Sequence, residues 1–146
     1  MRFMIIVPAT PESEAGVLPT EQQLLDMTAY NEELLKAGVL VDGEGLRESS
    51  KGARLTYSTD GEVTVTDGPF AEAKELIAGF TMIEVSSKEE AIEWLKNWPR
   101  SCAEGEFTLE LRQVFAPEDF GDAFTPELQE REARMREEAA RAAAQG

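Results

Sequence analysis

The chain has 146 residues, enough for one hydrophobic core with little left for a second. Its 29 Asp and Glu outnumber 14 Lys and Arg, a formal charge of −15 at pH 7, which argues against a direct nucleic-acid partner because no basic stripe is available to displace counterions. A single cysteine, Cys102, and the absence of histidine exclude an internal disulfide, a multi-thiolate metal site and every nucleophile pair that needs an imidazole.

In chain order, Arg2 to Val7 reads as a strand with almost no polar interruption. The run is too short for a membrane span or a signal peptide and stops at Pro8. Ala9 to Pro19 reads as a loop. Thr20 with Gln23 forms a capping box that starts a helix carrying Leu24, Met27, Leu34 and Leu35 toward a core, and Gly38 ends it. Val39 to Leu46 is a glycine-interrupted strand. Ala53–Ser58 and Glu62–Thr66 form a hairpin about Asp60-Gly61, with Leu55 and Tyr57 on one face with Val63 and Val65.

Asp67-Gly68-Pro69-Phe70 then supplies a turn and a helix start, with Pro69 preset for the first helical position. Ile77 to Val85 alternates Phe80, Met82 and Glu84 with Thr81, Ile83 and Val85, so bulky apolar groups point both ways. Ser87, with Glu90 as its box partner, caps a helix whose Ala91, Trp94, Leu95 and Trp98 share a stripe before Pro99 stops it. Glu106 to Phe115 is the last strand.

Strand, helix, strand, hairpin, strand, helix, strand is the α+β plan of a ferredoxin-like sandwich with an inserted β-hairpin. Both helices then cover one face of an antiparallel sheet. The apolar residues of the other face call for a cover, for which a second copy of the chain, sheet against sheet, is the simplest source. The expected domain is residues 1–116. Residues 117–146 form an acidic linker and a helical tail beginning at Thr125-Pro126, which with only Leu128 and Met135 as clear apolar anchors is expected to bury little.

Candidate chemistry concentrates at Asp67, Phe70, Glu72 and Lys74. Asp67 is placed to act as a base or hold a cationic ligand, with Pro69 and Phe70 as a rigid apolar wall and Glu72 and Lys74 orienting and neutralising. The competing reading is architectural: Asp67 accepts hydrogen bonds from its own turn, Gly68 supplies free backbone, and Phe70 plugs the core. Arg54, Tyr57 and Arg112 are second-rank candidates, since an arginine on a strand can clamp a carboxylate. No metal or cofactor is expected. Without histidine, catalysis would fall to carboxylates, lysine, tyrosine or backbone dipoles.

Asp67-Gly68-Pro69-Phe70-Ala71-Glu72, followed by Lys74-Glu75, Gly79-Phe80 and Ile83-Glu84-Val85, resembles the signature of the YCII-related proteins of the DGPF type. The likeness extends to Arg2-Phe3-Met4, Ala37-Gly38-Val39-Leu40, Gly43-Glu44-Gly45-Leu46, the Ser87-to-Trp98 helix and Val114-Phe115. It implies a bacterial cytoplasmic protein whose ferredoxin-like domains pair as a dimeric α/β barrel. A histidine and aspartate dyad has been proposed as catalytic in the broader family, and one member resembles a dehydrochlorinase; this chain has no histidine to take that role. The resemblance also implies a link to extracytoplasmic-function sigma factors. Two functions follow as expectations: a dimeric small-molecule binder or carboxylate-based enzyme with a pocket near Asp67, or a non-catalytic regulatory protein whose acidic surface engages a basic partner.

Overall fold

A computed structural model describes all 146 residues apart from the side chain of Lys74. The chain divides into two compact units, Met1–Val114 and Phe115–Gly146.

The first unit is built on a four-stranded antiparallel sheet. Its strands are β1 (Arg2–Pro8), β2 (Leu40–Gly45), β5 (Ile77–Glu84) and β6 (Glu110–Gln113), in the order β2-β5-β1-β6. With α2 (Glu21–Lys36) between β1 and β2, and α3 (Lys88–Lys96) between β5 and β6, this is the split βαβ connection of the ferredoxin-like plan. β3 (Ala53–Tyr57) and β4 (Val63–Asp67) form a separate two-stranded ribbon. Its register pairs Leu55 with Val65 and Tyr57 with Val63, so these four share one face, as their alternation predicts.

Alternation along β1 and β5 sorts the sheet into two faces. Phe3, Ile5, Ile83 and Val85 are buried on one, where they meet Tyr30 and Leu34 of α2 and Ala91 of α3 in a single core that also takes in Val39 and Trp98. Met4, Ile6, Phe80 and Met82 lie on the other face, paired across β1 and β5 and half-buried, with Arg112 and Glu110 beside them on β6.

The capping signals of α2 hold: Thr20 accepts from the Gln23 N–H at 3.1 Å, Gln23 accepts from the Thr20 N–H at 2.9 Å, and Gly38 takes the left-handed φ of 73° past the helix end. Its buried stripe differs from the expected one. Tyr30 and Leu34, four residues apart, face the core with Met27 behind them, while Leu24 and Leu35 are more than half exposed. Leu24 and Leu35 are each one residue off this stripe, and about 100° of helical rotation turns a side chain away from it.

Other boundaries also shift. The loop after β1 contains a short helix, α1 (Pro11–Glu14), closed by a capping box between Thr10 and Ser13. Ser87 caps α3 by accepting from the Glu90 N–H at 3.1 Å, but the Glu90 carboxylate turns to the Ser86 N–H and hydroxyl at 2.7 and 2.6 Å, so the reciprocal half of the box is not made to Ser87. These bonds hold the Glu90 carboxyl below its ordinary range. The helix ends at Lys96, which leaves Trp98 beyond it. β6 is confined to Glu110–Gln113 because only four residues pair with β1.

Pro69 opens no helix, contrary to its reading as a first helical position. The Gly68–Pro69 peptide is cis, and the only helical turn that follows is a 3₁₀ turn over Ala73–Glu75. The Phe70 N–H is already bound to Ser49 from a distant segment, and Glu72 at φ −106°, ψ 86° is outside the helical region, so a tertiary contact overrides the local preference.

In the second unit, Phe120 stacks on Phe115 at 4.7 Å between ring centroids and tilts against Phe124 at 5.4 Å. Thr125 then caps α4 (Pro126–Gln145) by accepting from the Leu128 N–H. Leu128 and Met135 are exposed and no residue of α4 is buried, as its few apolar residues predict. No helix among the described residues is long and apolar enough to cross a membrane.

Candidate functional site

The Asp67-to-Phe70 corner is held from outside its own sequence. The Gly68 N–H donates to the Gly52 carbonyl at 3.1 Å, and the Phe70 N–H donates to the Ser49 hydroxyl oxygen at 2.9 Å. Glu14 of α1 grips Ser49 in turn, accepting its backbone N–H at 2.9 Å and its hydroxyl with the other carboxylate oxygen. A side chain at Gly68 would overlap the Ser49 carbonyl oxygen, so close backbone approach explains this glycine.

Of the predicted site residues, the structure brings Arg54 and Phe70 together: the guanidinium lies 4.0 Å above the ring centroid of the half-buried Phe70. Asp67 ends β4 with its side chain exposed, and among the described residues its carboxylate accepts no hydrogen bond. Glu72 is exposed beside the 3₁₀ turn, and the Lys74 side chain lies outside the described residues. Tyr57 is 74% exposed on the ribbon. Arg112 belongs to the other sheet, opposite Met4, and pairs with Glu110 at 3.5 Å. Glu14 is a neighbour of this corner that sequence reading missed; the Thr10-Pro11-Glu12-Ser13 cap was the signal for the helix that presents it.

A cleft of about 270 Å³ opens between α2 and the β2 edge of the main sheet. Its cause is a run of glycines. Gly43 pairs with Thr81, and Gly45 with Gly79, all on the face that looks toward the helices, and three of these four have no side chain to fill the space. Gly79 is obligatory, since a Cβ there would stand 2.8 Å from the Glu44 carbonyl oxygen. At Gly43 a Cβ would meet the Phe80 carbonyl oxygen at 3.2 Å and the Thr81 hydroxyl at 3.4 Å, whereas at Gly45 it would meet nothing within 4 Å. Val7 and Met27 supply apolar wall; Asn31, Thr81 and Trp98 supply polar groups.

Two of those polar groups are unsatisfied. The Asn31 Oδ1 and the Trp98 Nε1 are buried with no hydrogen-bond partner, one an acceptor and the other a donor. Buried polar atoms are nearly always paired with protein or water, so these two, on residues that both line the cleft, are exceptions among the polar groups around it. Trp98 is rigidly mounted, at 6% exposure, by edge-on packing with Tyr30 at 5.3 Å. Tyr30 itself is fixed by donating its hydroxyl to the Trp94 carbonyl at 2.8 Å, and burial pushes its pKa up to about 12, so it stays a neutral donor at physiological pH.

Two other concavities differ in character. One of about 300 Å³ has an apolar floor that includes Leu95 and Phe107, with Lys96 and Arg100 also lining it. The other, of about 410 Å³ between α2 and α3, carries Asp26 and Glu33. Trp98 also borders the first of these, but of the three the cleft is the one lined by both Asn31 and Trp98.

Sheet order and cleft together define an α+β domain of the split βαβ type with a mostly apolar cleft, carrying a few polar groups, beneath its longer helix. The chain belongs to the family of proteins with a YCII-related domain, whose sequence profile matches residues 1–115. An uncharacterised protein of Rhizobium meliloti (strain 1021) is 35% identical over 77 residues, which are 53% of this chain and 61% of that protein. Among solved structures, 5-chloro-2-hydroxyhydroquinone dehydrochlorinase (TftG) from Burkholderia phenoliruptrix AC1100, in complex with 2,5-dihydroxybenzoquinone, is similar at 19% identity and a TM-score of 0.43, over 79% of this chain and 94% of that one.

Proposed function

We propose that this protein binds a small molecule in the cleft between α2 and the β2–β5 edge. The orphaned acceptor and donor at Asn31 and Trp98 carry this reading, and the cleft's volume is near the low end of ligand cavities, roughly 300–1,000 Å³, which suits a compact ligand. Gly45 offers the test, because it lines the cleft and a Cβ there meets nothing within 4 Å, so a larger side chain can be introduced on that wall. In a thermal-shift screen of metabolites, a compound present at a hundred times its dissociation constant is expected to stabilise the wild type by about 2.7 kcal/mol, roughly 7 °C. The shift should disappear in Gly45→Leu and survive in Asp67→Asn. The opposite pattern would move the site to the Asp67 corner.

A second observation favours a homodimer. Met4, Ile6, Phe80 and Met82 form a contiguous apolar centre on the face of the sheet that no helix of the first unit covers. Pairing sheet against sheet would bury it and produce a dimeric α/β barrel. Light scattering at micromolar concentration is expected to return twice the chain mass for the wild type and the chain mass for Met82→Asp, which places a charge at the centre of the patch. A monomeric wild type would contradict the pairing.

A further inference from the structure

We infer that the hollow between α3 and the segment leading into β6 is a second ligand site, for a monocarboxylate that carries a compact apolar body. Trp98 is the one lining residue the hollow shares with the cleft beside α2, and neither site needs the other to be filled.

The apolar wall comes from two directions. Ile92 and Leu95 are three residues apart on α3 and share a face, which Lys96 extends at the next position. From the other side, Phe107 and Leu109 line the hollow and alternate with the exposed Glu106, Thr108 and Glu110. Phe107 and Leu109 are only half-buried against the core, and Ile92 is 37% exposed. One side of the core is thus left open as a hollow of about 300 Å³, at the low end of the roughly 300–1,000 Å³ of ligand cavities.

Charge selects the head group. The chain has 29 Asp and Glu against 14 Lys and Arg, yet the charged residues lining this hollow are Lys96 and Arg100, with no Asp or Glu among the described lining residues. The concavity between α2 and α3 is the reverse, with Asp26 and Glu33 and no cation. The end of α3 adds little opposing charge because its last carbonyls are taken. Glu93 accepts from the Asn97 carboxamide at 3.2 Å, Trp94 from the Tyr30 hydroxyl at 2.8 Å and Leu95 from the Trp98 N–H at 3.1 Å.

Among the described residues Arg100 has no ion-pair partner, and Lys96 meets Glu93 at 2.8 Å in an exposed pair of the weak surface kind, with which an incoming carboxylate competes. The Arg100 guanidinium suits a carboxylate, which it grips through two parallel N–H donors, and Lys96 is a second positive charge on the same wall. One negative charge fits better than two, since the field of a chain at −15 opposes every charge added.

Octanoate is the probe, with hexanoate as its shorter homologue and 1-octanol and octylammonium as the uncharged and cationic counterparts. Of the isoleucines in the full-length protein, Ile92 is the one that lines the hollow, so its δ1-methyl NMR signal, assigned through Ile92→Val, reports occupancy. Octanoate is expected to move that signal and saturate. Hexanoate should bind about fifteenfold more weakly, since each buried methylene contributes about fourfold. The alcohol should bind about tenfold more weakly than octanoate, for want of charge-assisted hydrogen bonds. With Lys96→Gln and Arg100→Gln combined, both at exposed positions, octanoate should lose its advantage over 1-octanol; in Gly45→Leu its affinity should be unchanged.

Four results would overturn the assignment. Equal or tighter binding of 1-octanol or octylammonium by the wild type removes the carboxylate from the ligand. Hexanoate binding as tightly as octanoate removes the apolar body. An octanoate shift abolished by Gly45→Leu moves the ligand to the cleft. If no probe moves the Ile92 signal, the hollow is not a ligand site, and the proposed role of the cleft beside α2 stands or falls on its own thermal screen.

Discussion

Replacing Leu34 by alanine is expected to lower the unfolding free energy by about 3 kcal/mol, within the roughly 2–5 kcal/mol range for a leucine deleted from a close-packed core. Leu34 is fully buried, at 0% exposure, and belongs to the same cluster as Phe3, Ile5 and Ile83. The loss comes from the transfer of the deleted methyl groups and from the cavity they leave, which strands and helix relax to fill only in part. Urea unfolding followed by tryptophan fluorescence measures it, since Trp98 belongs to the same core. The midpoint temperature should fall by about 10 °C for a chain of this size. A change below about 1 kcal/mol would mean that the core closes around a different set of side chains.

Gly68→Ala is expected to cost about 3 kcal/mol by the opposite mechanism, overpacking. The added methyl would overlap the carbonyl oxygen of Ser49, and backbone cannot swing aside as a flexible side chain can. Either the ribbon corner moves away from Ser49, losing the Phe70-to-Ser49 hydrogen bond, or the Ser49–Lys51 3₁₀ turn is displaced from Glu14. Hydrogen exchange locates the damage: amides of Gly68 and Phe70 should lose protection well before those of β1 and β5. Asp67→Asn, one residue away, should change stability by no more than about 0.5 kcal/mol, because the side chain is exposed. If Asp67→Asn proved the more damaging change, the corner would owe its construction to the carboxylate.

The glycine of the corner was legible in the sequence as a geometric requirement, but its reason was not. Gly68 was expected to provide turn freedom, whereas the structure shows an approach between two backbones nineteen positions apart in sequence, counted from Ser49 to Gly68. Phe70 was expected to plug the core; it is half-buried and covered by Arg54 instead. The cleft was harder to see. Val39 to Leu46 reads only as a glycine-interrupted strand, and its register shifts between Leu40 and Asp42. Only pairing with β5 sets Gly43 against Thr81 and Gly45 against Gly79, so that three glycines coincide on one face. Trp98 was assigned to the core by its spacing and is there, yet its indole nitrogen is one half of the orphan pair.

The local code alone determined the order of the main strands and of α2 and α3, the Thr20 cap, the Gly38 stop, the shared apolar face of the ribbon and the family. Each depends on residues close in sequence or on alternation within one strand, where propensity, capping and period act without reference to the rest of the chain. Tertiary structure decided which helix stripe is buried, why Pro69 begins no helix, and that Asn31 and Trp98, each with an unpaired polar atom, line the same cleft. Those outcomes turn on contacts between segments tens of residues apart: Glu14 with Ser49, Ser49 with Phe70, and Asn31 and Trp98 on one cleft. Their energies exceed the few tenths of a kcal/mol by which local preferences differ, roughly, so packing overrides propensity there.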